Sequence, residues 1–98
     1  MNPETTRLHR SPDVTWRTLD GETVLLHLES GEYFSLNATG SRLWDLLDGA
    51  HSLAEAALAI AAAFDDAAPA TVAADVAALA AEMLDRKLVT SDESPARP

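Results

Sequence analysis

Gly31-Glu32-Tyr33-Phe34-Ser35-Leu36-Asn37-Ala38-Thr39-Gly40-Ser41-Arg42-Leu43-Trp44-Asp45-Leu46-Leu47 is the stretch on which the fold turns. It opens as a turn, becomes a short aromatic strand and passes into an amphipathic helix with almost no linker. Tyr33 to Leu36 is dense in strand formers. Asn37 is a good N-cap, because its side-chain oxygen can accept a backbone N–H from the first helical turn. Leu43, Trp44, Leu46 and Leu47 then follow helical spacing. Everything before this junction reads as strand, and everything after it as helix.

Outward towards the start, Val14 to Leu19 alternates in polarity. Asp20-Gly21 tolerates the positive φ angles of a tight hairpin. Thr23 to Leu28 is continuously apolar at Val24-Leu25-Leu26, which suits a central strand covered on much of both faces. Glu29-Ser30-Gly31-Glu32 makes a second turn. The result is a three-stranded antiparallel meander whose third strand, Tyr33 to Leu36, is an edge. Residues 1–13 are polar, contain Pro3 and Pro12, and read as a flexible arm with little structure of its own.

Outward towards the end, the first helix spans about Ala38 to Leu47, with Asp48-Gly49 closing it. Ser52 caps the second helix, and Glu55 three residues later completes a capping box. Leu53, Ala57, Ile60 and Phe64 form its apolar face. Asp65 to Ala68 is a loop. Pro69 and Thr71 start the third helix, in which Val72, Val76, Leu79 and Met83 form a stripe beside Leu84. Leu88-Val89-Thr90 can add a short extended segment, and residues 91–98 form a polar tail. The expected domain spans residues 14–90. Its class is α+β, a meander followed by three helices, with Trp44, Leu47, Ile60 and Phe64 in the core, along with Leu25 or its neighbours in the second strand.

Composition narrows the function. Ninety-eight residues make one domain with one modest core. An apolar content of 47% is that of a folded protein. The formal charge is −9, from 16 acidic against 7 basic residues, and the basic ones are scattered. Nucleic-acid affinity rests on clustered Lys and Arg facing phosphates, so a nucleic-acid partner is disfavoured, as is an anionic membrane surface. Cysteine is absent, which removes disulfide and thiolate chemistry. Residues 1–7 lack the apolar core of a signal peptide, so the expected compartment is the cytosol.

Enzyme signatures do not emerge. His9, His27 and His51 share no metal-ligand spacing, so no metal or other cofactor is expected. The chain has no nucleophile elbow and no Gly-rich phosphate loop. Thr39-Gly40-Ser41 could hold an anion on free N–H groups, but a Gly that permits close strand–helix packing explains it more simply. The acidic pairs Asp45 with Asp48, Asp65 with Asp66, and Glu82 with Asp85 read as solvated faces. What remains is a surface. The third strand carries one charge at its start, Glu32, and no proline, so little spoils its edge. Either it is left open for a peptide to add a strand, or the arm or the third helix covers it. Periodicity leaves both readings open.

Gly31, Tyr33, Leu36, Asn37, Thr39, Gly40, Trp44 and Leu47 resemble the G-x-Y-x-x-L-N-x-T-G-x-x-x-W-x-L-L signature of PqqD-like proteins, the RiPP recognition elements. Leu53-Ala54-Glu55-Ala56-Ala57 and Leu88-Val89 look like the same family less specifically. The resemblance covers roughly Val14 to Val89 and implies a winged helix-turn-helix-like arrangement. It also implies a non-catalytic role: the leader of a ribosomally made precursor peptide pairs with the third strand and lies in the groove beside the third helix. Carried onto this chain, the strand positions are Glu32, Tyr33, Phe34, Ser35 and Leu36. The helix positions, placed by register, are Asp75, Val76, Leu79, Ala80 and Met83. The implied partners are the leader peptide and a leader peptidase or other modifying enzyme. A standalone domain of this kind resembles the leader-binding proteins of lasso-peptide clusters. The alternatives are a PQQ-pathway peptide chaperone working with a radical enzyme, a winged-helix transcriptional regulator and a scaffold subunit.

Overall fold

The computed structural model describes residues 2–64 and 68–91, so most of the expected Asp65 to Ala68 loop and the expected tail beyond position 91 lie outside the described residues. In chain order these form β1 (Arg7–Arg10), β2 (Val14–Leu19), β3 (Glu22–His27), β4 (Tyr33–Leu36), α1 (Ala38–Asp45), β5 (Asp48–Ser52), α2 (Leu53–Ala63), α3 (Pro69–Asp85) and β6 (Val89–Ser91). The class is α+β. The expected meander is present: β2, β3 and β4 are antiparallel neighbours in that order. Asp20 at φ 54° and Gly21 at φ 83° turn β2 into β3, the pair of left-handed residues that matches the twist of a two-residue hairpin.

A second sheet, in the order β5-β1-β6, departs from the sequence reading. Arg7–Arg10 was expected to lie in an arm with little structure, yet β1 is the central strand of this sheet. Leu8 pairs with Ser91, and His9 with both Asp48 and Thr90. The cause is burial. The Leu8 side chain is fully enclosed in the core, and neighbours on both sides satisfy the backbone of β1. The arm therefore does not cover the edge of β4.

Helix boundaries follow local chemistry. Asn37 Oδ1 accepts the Gly40 N–H at 2.9 Å and starts α1. Ser52 and Glu55 exchange reciprocal hydrogen bonds of 3.1 and 2.8 Å and start α2, the expected capping box. The end of α1 comes earlier than Leu47. Arg10 reaches across from β1 and donates to the carbonyls of Trp44 at 2.8 Å and Asp45 at 3.3 Å, a cation satisfying the negative end of the helix. Asp48-Gly49 is accordingly the start of β5 and not a helix stop. Gly49 has φ 82°, and a Cβ there would fall inside the His9 imidazole.

The core lies between the helices and the inner face of the meander. Leu25, Leu43, Trp44, Leu47, Ile60 and Met83 are buried together. Trp44 meets Trp16 edge to face, with ring centroids 5.4 Å apart, a favoured aromatic geometry. The Arg10 guanidinium lies 5.3 Å from the Trp16 ring centre, so this one side chain ties β1, β2 and α1 together. Phe64, expected in the core, is half-buried at the C-terminal cap of α2. The run Val24-Leu25-Leu26 is not covered on both faces: Leu25 is buried, but Val24 is 42% exposed on the outer side.

Candidate functional site

The main chain of β4 alternates in direction. Register pairs Leu26 with Tyr33, Leu25 with Phe34, Val24 with Ser35 and Thr23 with Leu36. The His27 N–H donates to the Glu32 carbonyl at 3.0 Å, one step before the strand. Antiparallel ladders alternate bonded and non-bonded pairs, so Phe34 and Leu36 turn their N–H and C=O groups into β3. Tyr33 and Ser35 turn theirs to the free side. Among the described residues, no strand pairs with β4 there.

Beside this edge runs a cleft of about 100 Å3, walled by Phe34, Ser35 and Leu36 on one side and Leu79, Glu82, Met83 and Arg86 on the other. Its floor is apolar and its rim charged. The Arg86 guanidinium lies 5.3 Å from the Phe34 ring centre, and its Nε donates to Glu82 Oε2 at 3.2 Å. Gly40 lets two of the wall residues, Leu36 and Leu79, approach α1 closely. A Cβ on it would come within 3.1 Å of the Leu36 Cβ and 3.3 Å of the Leu79 Cδ2. The Thr39-Gly40-Ser41 stretch is thus a place of close packing of α1 against β4 and α3.

The cleft gathers five of the ten residues singled out from the sequence: Phe34, Ser35, Leu36, Leu79 and Met83. Tyr33 is exposed on the opposite face of the sheet, and Glu32 is exposed just before β4. Asp75 is exposed one turn before Leu79 and does not line the cleft. Val76 and Ala80 are buried in the core, and Val76 lines a different, apolar hollow between α2 and α3. Arg86 and Leu88, absent from the sequence list, belong to the cleft wall. The spacing held a signal for Arg86, since 79, 82, 83 and 86 fall on one helical stripe.

Other polar groups have local work. The His27 Nδ1 accepts the Glu29 N–H at 3.2 Å, which leaves the proton of a neutral ring on Nε2. The Asp48 carboxylate accepts the Ala50 N–H at 2.9 Å and pairs with His51 at 3.0 Å. The backbone bond first, and His51 second, hold its pKa below the usual aspartate value of 3.8. Among the described residues, no group of three or more His, Cys, Asp or Glu is placed to hold a metal ion, and no helix is long and apolar enough to cross a membrane.

A two-layer α+β domain with an open strand edge beside a helix-walled cleft is the class of protein that these features define. The family model for coenzyme PQQ synthesis protein D (PqqD) matches residues 22–89, and the chain belongs to that family, as the signature from Gly31 to Leu47 suggested. Two solved structures align over nearly all of it. One, TbiB1 in complex with the TbiA(beta) leader peptide, is 34% identical, covers 91% of this chain and 99% of its own, and has a TM-score of 0.74. The other, a lasso peptide synthetase B1 complexed with the leader peptide, is 25% identical, covers 86% of this chain and 98% of its own, and has the same TM-score of 0.74. No curated protein matches the chain.

Proposed function

We propose that this protein binds the leader region of a ribosomally made precursor peptide by strand addition at β4 and presents it to a separate enzyme, without chemistry of its own. One observation carries the reading: Tyr33 and Ser35 turn their main-chain groups to an edge that no strand among the described residues occupies, directly beside an apolar cleft on α3. Strand addition draws affinity from such groups and specificity from pockets that take alternate side chains. Both solved relatives hold a leader peptide, which favours lasso-peptide maturation over a PQQ-pathway role. The enzyme receiving the peptide is then a leader peptidase or another modifying enzyme of that pathway. The work is done in the cytoplasm, where precursor peptides are made. The meander and three helices take a winged helix-turn-helix-like arrangement in this reading. A net charge of −9 sets it apart from a DNA-binding regulator.

The deciding measurement is fluorescence anisotropy of a labelled lasso-precursor leader titrated with the parent chain and with Leu79→Asp. Saturable binding by the parent, weakened by an unpaired charge in the cleft wall, supports the reading. Saturable binding that is the same for both proteins moves the site elsewhere. Capture of an enzyme without any leader binding would make the chain a scaffold subunit.

A further inference from the structure

The outer face of the meander has no cover among the described residues. Thr15, Leu26 and Tyr33 form one cross-strand row on it, and Arg17, Val24 and Ser35 the next. Tyr33 is 71% exposed, and a shallow concavity of about 400 Å3 runs from Tyr33 across Leu26 and Val24 to Leu19. The row through Ser35 has a gap at the strand edge. Its outermost residue is small, so an object lying over Ser35 reaches Val24 without obstruction.

Strand addition fixes what that object is. The residues whose main chains face the free edge are Tyr33 and Ser35, and directly opposed residues of an antiparallel ladder put their side chains on the same face of the sheet. The peptide residues that exchange main-chain hydrogen bonds with Tyr33 and Ser35 therefore point to the outer face. The alternate peptide residues, opposite Phe34 and Leu36, point towards the cleft beside α3. Neighbouring strands lie about 4.8 Å apart, so an aromatic or long aliphatic side chain opposite Ser35 spans the serine and packs on Val24.

Resting on the leader-binding reading, we infer that the outer face is a second specificity surface for the same peptide: it takes an aromatic or long aliphatic side chain opposite Ser35, flanked by Tyr33 and seated on Val24. The ligand class is an extended peptide with apolar residues at consecutive positions, one for each face of the sheet. A peptide read by the cleft alone would need them only at every second position. Cross-strand pairs of this kind are each worth up to about five-fold in affinity.

The test uses a displayed library of random dodecapeptides selected on the full parent chain. The tightest peptide is then alanine-scanned on the parent, on Val24→Ser and on Leu79→Asp, each first shown to be folded by circular dichroism. On the parent, the expected scan is sensitive at adjacent positions. On Val24→Ser, about five-fold of affinity is lost, and sensitivity disappears at one parity while persisting at the other. On Leu79→Asp, the other parity is lost. A parent scan confined to one parity, or an unchanged profile on Val24→Ser, overturns the second surface and leaves that face to a protein partner or to solvent. Selected peptides indifferent to both Leu79→Asp and Ser35→Pro, or a selection yielding no binder, overturn the leader-binding reading itself and this inference with it.

Discussion

Trp44 shows how a single side chain can be both anchor and liability. It is wholly buried, yet its Nε1–H has no hydrogen-bond partner among the described residues. Removing the ring in Trp44→Ala should cost about 3–5 kcal/mol through the cavity left behind. Trp44→Phe should cost less, because it also deletes an unsatisfied buried donor whose desolvation is worth about 1–3 kcal/mol. Thermal melts of the two variants check the order, and an unchanged melt for Trp44→Ala would show that the ring is not core. Asp48 offers a pH handle at the same scale. Its folded pKa is depressed, so its contribution is present above the unfolded value and is lost as pH falls through the folded one. A carboxyl NMR titration should place its midpoint below 3.8, and Asp48→Asn should remove that acid-side loss.

At the scale of elements, β4 carries the sharpest prediction. The Phe34 N–H lies in the ladder with Leu25, while that of Ser35 faces the free edge. Proline deletes the donor in either case, but with different consequences. Phe34→Pro should destabilise the fold by about 0.5–1.5 kcal/mol for the lost bond, with ring strain added. Ser35→Pro should melt near the parent and instead weaken peptide binding. Equal melts for the two would mean that the parity is wrong. The cap of α2 makes a separate test: Ser52→Ala should lower stability by about 0.5–2 kcal/mol in denaturant titration.

Legibility in the sequence also divides by element. The meander, the Asn37 and Ser52 caps and the buried Trp44 were readable because local chemistry and burial agree there. The second sheet was not. Arg7–Arg10 has one apolar residue, Leu8, and Asp48–Ser52 reads Asp-Gly-Ala-His-Ser, with no strand former in it. Pairing holds these strands, and pairing between distant segments leaves no periodic trace. Half of the residues singled out for the site lie outside the cleft, for a related reason. The stripe on α3 was visible, but not which neighbour each flank meets, so Val76 and Ala80 were placed in a groove when they face the core. Val24 misled because a continuous apolar run looks the same whether its second face is covered or awaits a ligand.

For the whole molecule, the charge of −9 sets how partners arrive. A leader bearing Lys or Arg near the cleft should associate more slowly as salt rises, since opposite charges steer encounter and ions screen them. Asp75 and Glu82 are the acidic residues of α3 nearest in sequence to Leu79, and Asp75→Asn should flatten part of that salt slope in stopped-flow traces. Association indifferent to both would leave the acidity as a matter of solubility.

The placement of β1 between β5 and β6 has a consequence for how the chain is made. Leu8 finds Ser91 as its partner across almost the entire polypeptide, so during synthesis β1 can meet β5 first, and its pairing with β6 must wait until residues 89–91 have left the ribosome. The hairpin of β2 and β3 and the strand–helix junction at Asn37 close over short loops and can form early. A nascent chain halted before Val89 would thus carry a formed meander and a second sheet still open on the β6 side of β1. Pulse-labelling hydrogen exchange on refolding protein should accordingly show protection appearing in β2 and β3 before β1 and β6.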